Sequence, residues 1–260
     1  MNLGKSLPSI LMITNTIILN WDDFSVYLFS TMYPDSAQPI SHQPQLLILD
    51  ESVGTVELFP TVWKALEDLT QADERTRSAA LEQIADLNAA RISPVVSYFL
   101  VTRIVEPNLR LRARVVEILS SVLTVDENGF PSPEDVRNSL RIYLATIRTR
   151  QVFALLQVSA KYNSLEPCIS LLLSASSFAG NHLVDILDDR KNPLAIRKQA
   201  AIMIGQVGYL YTLPAMERIA GRLEAHLSGQ KAMNFVSQSP SNEAELLPMV
   251  REAINSLRAQ

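Results

Sequence analysis

Residues 192–227 read NPLAIRKQAAIMIGQVGYLYTLPAMERIAGRLEAHL, two amphipathic helical segments with a tight turn between them. Asn192 is a helix-capping residue type, and Pro193 suits a first helical position. Ile196, Ala200, Met203, Ile204 and Val207 then recur on one face at the 3.6-residue period. Gly208 predicts the stop. Thr212 is expected to cap a second helix whose first turn tolerates Pro214, and Met216, Ile219, Ala220, Leu223 and Leu227 form its stripe. Two short antiparallel helices bury only part of these stripes, so the hairpin needs similar neighbours on either side.

The pattern recurs. With Arg77 as an anchor, the positions at −1, +3, +7 and +10 are Thr76, Ala80, Ile84 and Leu87. About Arg112 they are Leu111, Val115, Leu119 and Val122; about Arg137, Val136, Leu140, Leu144 and Ile147; about Arg197, Ile196, Ala200, Ile204 and Val207. Each unit reads as a helix with one core stripe and an arginine beside it, placed to reach a carboxylate or a helix end in a neighbouring repeat. Ser132-Pro133 stands before Arg137 as Asn192-Pro193 stands before Arg197.

This pattern resembles the second helix of HEAT repeats, two-helix units whose inner helix opens acidic-x-x-x-Arg. Asp73 with Arg77 matches that opening, Asn108 with Arg112 matches it less closely, and Pro133 and Pro193 depart from it. The resemblance spans residues 58–229 and implies an all-α α-solenoid of antiparallel helix pairs. The anchors are unevenly spaced, by 35, 25 and 60 residues. The short gap lacks room for a full repeat, so a first helix is expected to be missing or shortened before Ser132. The long gap is expected to hold helices over 151–161, 164–174 and 179–188, and a last helix over 243–258 to cap the stack, with Pro248 kinking it or delaying its start.

Residues 1–57 differ from the rest. They carry one lysine against six acids, a net of −5, whereas the remainder holds 22 basic and 21 acidic residues. The apolar run over 7–19 is too short and too interrupted to span a bilayer, and no small-x-small cleavage site follows it. A polar, proline-bearing stretch over 33–45 reads as a linker, and Leu46 to Leu49 as a lone strand. We therefore expect a peripheral, loosely packed extension over 1–57 and a helical-repeat domain over 58–260. Cys168, the single cysteine, excludes an internal disulfide and fits a cytoplasmic protein.

The catalytic inventory is thin. His42, His182 and His226 are isolated in sequence, with no carboxylate beside them and no cysteine pair. The His-Glu pairs of the helical-repeat deoxyhypusine hydroxylases are missing. Gly205 and Gly208 read as close packing and a C-cap, and Trp63, Tyr143 and Cys168 fall among core positions. No cofactor or metal is expected. The sequence therefore favours a non-enzymatic scaffold or adaptor holding a protein or peptide partner in a concave groove. The alternatives are a HEAT-like enzyme or nucleic-acid binder with a basic groove, glycosylase-like or lyase-like, and a structural oligomer subunit. The near-neutral body disfavours nucleic acid. Between Val136 and Leu165 the chain has five bases and no acid. Arg137, Arg141 and Arg148 fall on one arc of a helix expected over 133–149, and they are the candidate partner-binding residues on a helix expected to line the groove.

Overall fold

The structure, a computed structural model, describes residues 55–232 and 242–260. Residues 1–54 lie outside them, with the lone strand and most of the expected extension; so does the 233–241 part of the polar loop. Twelve α-helices make up the described chain: α1 Thr55–Asp68, α2 Glu74–Asp86, α3 Ala89–Ile92, α4 Pro94–Thr102, α5 Leu109–Leu123, α6 Glu134–Ala145, α7 Thr149–Lys161, α8 Glu166–Ser174, α9 Ala179–Asp188, α10 Leu194–Val207, α11 Leu213–Ala232 and α12 Asn242–Ala259. Among the described residues there is no strand, only an isolated bridge between Val125 and Pro131. α1 opens at Thr55, so residues 55–57 belong to the helical body and not to the extension.

The expected stripes are the core. Ile84, Leu119, Leu140, Leu144, Ala200, Met203, Ile204 and Met216 are fully or almost fully buried. Two sets of helices share this core. α2 packs on α5, α5 on α8, α8 on α10 and α10 on α12, while each of these five also packs against the helix before it in sequence. The set runs in one direction where side chains report it. Tyr209, just past the end of α10, donates to the carbonyls of Leu173 and Ser176 at the end of α8, and Lys198 near the start of α10 pairs with Glu245 near the start of α12. In the other set, Thr149 at the start of α7 meets His182 near the start of α9. The backbones of α10 and α12 approach closely because Gly205 has no side chain: a Cβ there would lie 3.0 Å from the Cα of Ala253.

Buried arginines lock the turns. Arg112 is 7% exposed; its Nε and Nη2 donate to the Glu106 carbonyl at 2.8 and 2.6 Å, and its Nη1 reaches the Ala154 carbonyl and Gln157 Oε1 on α7. Glu106, itself buried, accepts Arg77 Nη2 from α2 at 3.0 Å. Arg197 donates through Nε to Leu187, one of the orphan carbonyls at the end of α9. Burial pushes the Arg112 and Arg197 guanidiniums below their ordinary range, the cost of taking a cation out of water. Arg77, Arg112, Arg137 and Arg197 each stand fourth in their helix.

Several local expectations are corrected. Asn192 does not cap α10: its Nδ2 donates to the Ile186 carbonyl, closing α9, and Pro193 occupies the N-cap. Thr212 turns its hydroxyl back onto the Tyr209 carbonyl within a 3₁₀ turn. α11 runs on past Leu227 to Ala232, and α12 starts at Asn242 and continues through Pro248. The helix expected over 133–149 stops at Ala145, so Arg148 belongs to the next turn as the N-cap of α7. Residues 124–132 hold no helix, as the short spacing implied.

Replacing Arg112 or Arg197 by Ala should cost about 1–3 kcal/mol, because each leaves buried carbonyls unpaired. Arg77→Ala should cost at least as much, because it leaves the buried Glu106 carboxylate without its guanidinium partner, although its two carbonyl partners are exposed. Denaturant unfolding of the three variants measures these losses; losses within error at all three would contradict the assignment.

Candidate functional site

A cleft on the described surface lies between α2 and α5, closed at one end by the turn into α8. It encloses about 420 Å³. Ser78 and Glu82 come from α2, Arg110, Arg114 and Glu117 from α5, and Tyr162 from the turn. The helical period places these side chains together: Ser78 and Glu82 are four residues apart, as are Arg110 and Arg114, so each pair shares a face. A smaller hollow of about 220 Å³ continues the cleft past Arg114 and Glu117 towards Arg91.

Arg114 organises the cleft. Its Nε and Nη2 bind both oxygens of Glu82, at 3.2 and 2.7 Å, and its Nη1 binds Glu117 at 3.0 Å. The hydrogen bonds it donates to Glu82 chiefly hold the Arg114 guanidinium above its ordinary value. Arg110 is exposed at the mouth. The lining thus balances two arginines with two glutamates, and Tyr162 is the one aromatic ring among the lining residues.

A cleft of this kind suits hydrogen bonding to peptide groups and to side chains of either charge. It has neither the excess of cations nor the stacking surfaces that hold a nucleic-acid strand. Among the described residues no three His, Cys, Asp or Glu side chains gather where they could hold a metal, and no helix is long and apolar enough to cross a membrane. His182 bonds to Thr149, His226 faces Glu243 at 3.6 Å, and Cys168 is half-buried against the core. His42 lies outside the described residues.

The expected arginine ridge is divided. Arg141 is exposed on α6, where it donates to Asn138; Arg137 is half-buried with its Nε unpartnered; Arg148 is exposed in the following turn. α6 packs on α4 and only lightly on α5, outside the series α2, α5, α8, α10 and α12, so it does not line the cleft. The register match misled here because Arg137 stands fourth in its helix like the others, while the packing partner of that helix differs. Glu82, Arg110 and Arg114 drew no attention in the sequence because charged residues at i and i+4 are the ordinary dress of a surface helix. Only the packing of α2 on α5 brings Glu82 to Arg114.

The chain was compared with protein-family models, curated proteins and solved structures, and it matches none of them.

The Arg114 network is half in solvent, so it should act on specificity more than on stability. A double-mutant cycle with Glu82→Gln and Arg114→Met should give a coupling of about 0.2–1 kcal/mol. A coupling well above that would show the pair to be structural.

Proposed function

We propose that this chain is a non-enzymatic α-solenoid of HEAT-like helix pairs, an adaptor that holds a protein segment along the series α2, α5 and α8. The pairs would be α1 with α2, α4 with α5, α7 with α8, α9 with α10 and α11 with α12, with the short α3 and α6 outside the pairs. The support is the continuous packing of the second helix of each pair on the next, together with the parallel direction that the Tyr209 and Lys198 contacts require.

The charge-balanced cleft between α2 and α5 carries the functional part of this reading. Its paired Arg114 and Glu82 are pre-ordered, so a bound segment does not bear the whole cost of fixing them. Arg110 at the mouth offers a cation to a carboxylate or carbonyl of the partner. The competing enzymatic and nucleic-acid readings call for a cleft dominated by cations or titrating groups, and no observation favours either.

The test is site-specific photo-crosslinking in the native cell. A crosslinking residue at Arg110 should trap a protein partner; one at Arg222, on α11, should not. Ser78→Trp, which fills the cleft, should reduce trapping at least about tenfold while leaving the helical circular dichroism intact. Equal trapping from both positions, or trapping indifferent to Ser78→Trp, would overturn the assignment.

A further inference from the structure

We propose that the α2–α5 cleft, at its end nearest the start of α5, binds the carboxylate of an aspartate or glutamate in the protein segment it holds. This rests on the adaptor reading and names the chemistry of the partner. α2 and α5 run side by side in one direction, since Arg77 reaches Glu106 just before α5, and Glu82, further along α2, reaches Arg114 within it. Glu82 and Arg114 are 32 residues apart, as are Ser78 and Arg110, one turn earlier on each helix. The register therefore sets Ser78 opposite Arg110, and both line the cleft together with Tyr162.

Charge is balanced over the whole cleft but not along it. Arg114 donates to both carboxylates of the lining, Glu82 and Glu117. Among the described residues the Arg110 guanidinium has neither an ion pair nor a hydrogen bond, and the hydroxyls of Ser78 and Tyr162 donate to no protein atom. Ser78 and Tyr162 are half-buried, and Arg110 is exposed at the mouth. One end of the cleft is thus satisfied internally, while the other presents a cation and two hydroxyls that no protein group engages.

These donors select the occupant. A guanidinium has five N–H donors and no acceptor, and its hydrogen bonds to an ionised acceptor are roughly twice as strong as neutral ones. A basic side chain would meet Arg110 as a like charge, because the carboxylates that could offset it are held by Arg114. A carboxylate brings one negative charge to one uncompensated positive charge, and its two oxygens can accept from the guanidinium and from a hydroxyl together. Arg110 is also the second residue of α5, where the positive end of the helix dipole favours an anion. A phosphate dianion would carry a surplus charge into a cleft that already holds Glu82 and Glu117. A crosslinker in place of Arg110 weakens this one contact and still traps the segment, because covalent capture accumulates.

The experiment selects peptides from a random-sequence phage-displayed library on the full chain, with Ser78→Trp as the blocked-cleft control. Peptides that bind wild type and not Ser78→Trp should share an aspartate or glutamate at one position. Changing that residue to its amide should weaken binding to wild type at least about tenfold, read by fluorescence anisotropy. Against Arg110→Gln the acidic peptide should lose a similar factor and the amide peptide almost nothing, because the pair has already been removed. Arg110 makes no side-chain contact of its own in the fold, so the unfolding midpoint of this variant should match wild type. Cleft-binding peptides without a shared acidic residue, or an acidic peptide indifferent to its amide change or to Arg110→Gln, would overturn the inference and leave the adaptor reading standing. A library in which nothing distinguishes wild type from Ser78→Trp would overturn both.

Discussion

The packing depends on Glu106 and the two arginines that share it. This glutamate sits in the turn before α5, its carboxylate taken by Arg77 of α2 and its carbonyl by Arg112 of α5, which itself reaches on to α7. Three helices that are distant in sequence are tied through one buried residue. An ion in such a place is expensive to desolvate, and its attraction to a partner only roughly offsets that cost. What the arrangement supplies is geometry: five guanidinium donors in a fixed fork accept only one placement of the surrounding carbonyls. The apolar stripes drive the helices together, and the arginines select one way of stacking them.

A second polar junction repeats this logic at the next contact. Ser159 of α7 donates to Gln199 of α10, and Gln199 donates to Glu166 of α8. These side chains are uncharged or only half-buried, yet they join three helices as Glu106 does. Tyr209 then closes the far end of α8, and burial raises its hydroxyl above the ordinary phenol range while that hydroxyl remains a donor.

The all-helical class and about half of the core could be read from the sequence because the stripes of α2, α5, α6, α10 and α11 keep the helical period without interruption, whereas the buried residues of α3 and α4, Ala89, Ala90, Val96 and Leu100, and those of α7, Val152, Leu155, Leu156 and Val158, drew no reading. The helix over 179–188 falls where it was expected, and Gly205 and Gly208 serve the close approach and the C-cap inferred for them. The partner of each stripe could not be read. α8 took its place between α5 and α10 unannounced, because Ile169 stands at its fourth position where α2, α5 and α10 carry arginine, and its Leu171-Leu172-Leu173 run blurs the period. α6 kept the arginine and the period but packs elsewhere. Periodicity marks a buried face; it does not say which helix buries it. The cleft was illegible for the same reason, since it exists only where α2 meets α5.

In the proposed adaptor the α2–α5 cleft carries the contact. It is polar, charge-balanced and pre-ordered, features that suit selective and reversible contact with a segment of another protein.

The central claim is that buried polar junctions fix which helices stack. Hydrogen exchange read by mass spectrometry on Arg112→Ala measures it most directly. The account predicts lost protection in α5, at the start of α2 where Arg77 loses its ordered partner, and in α7 around Ala154 and Gln157, with α12 unchanged. Loss confined to α5, or spread evenly over every helix, would contradict it.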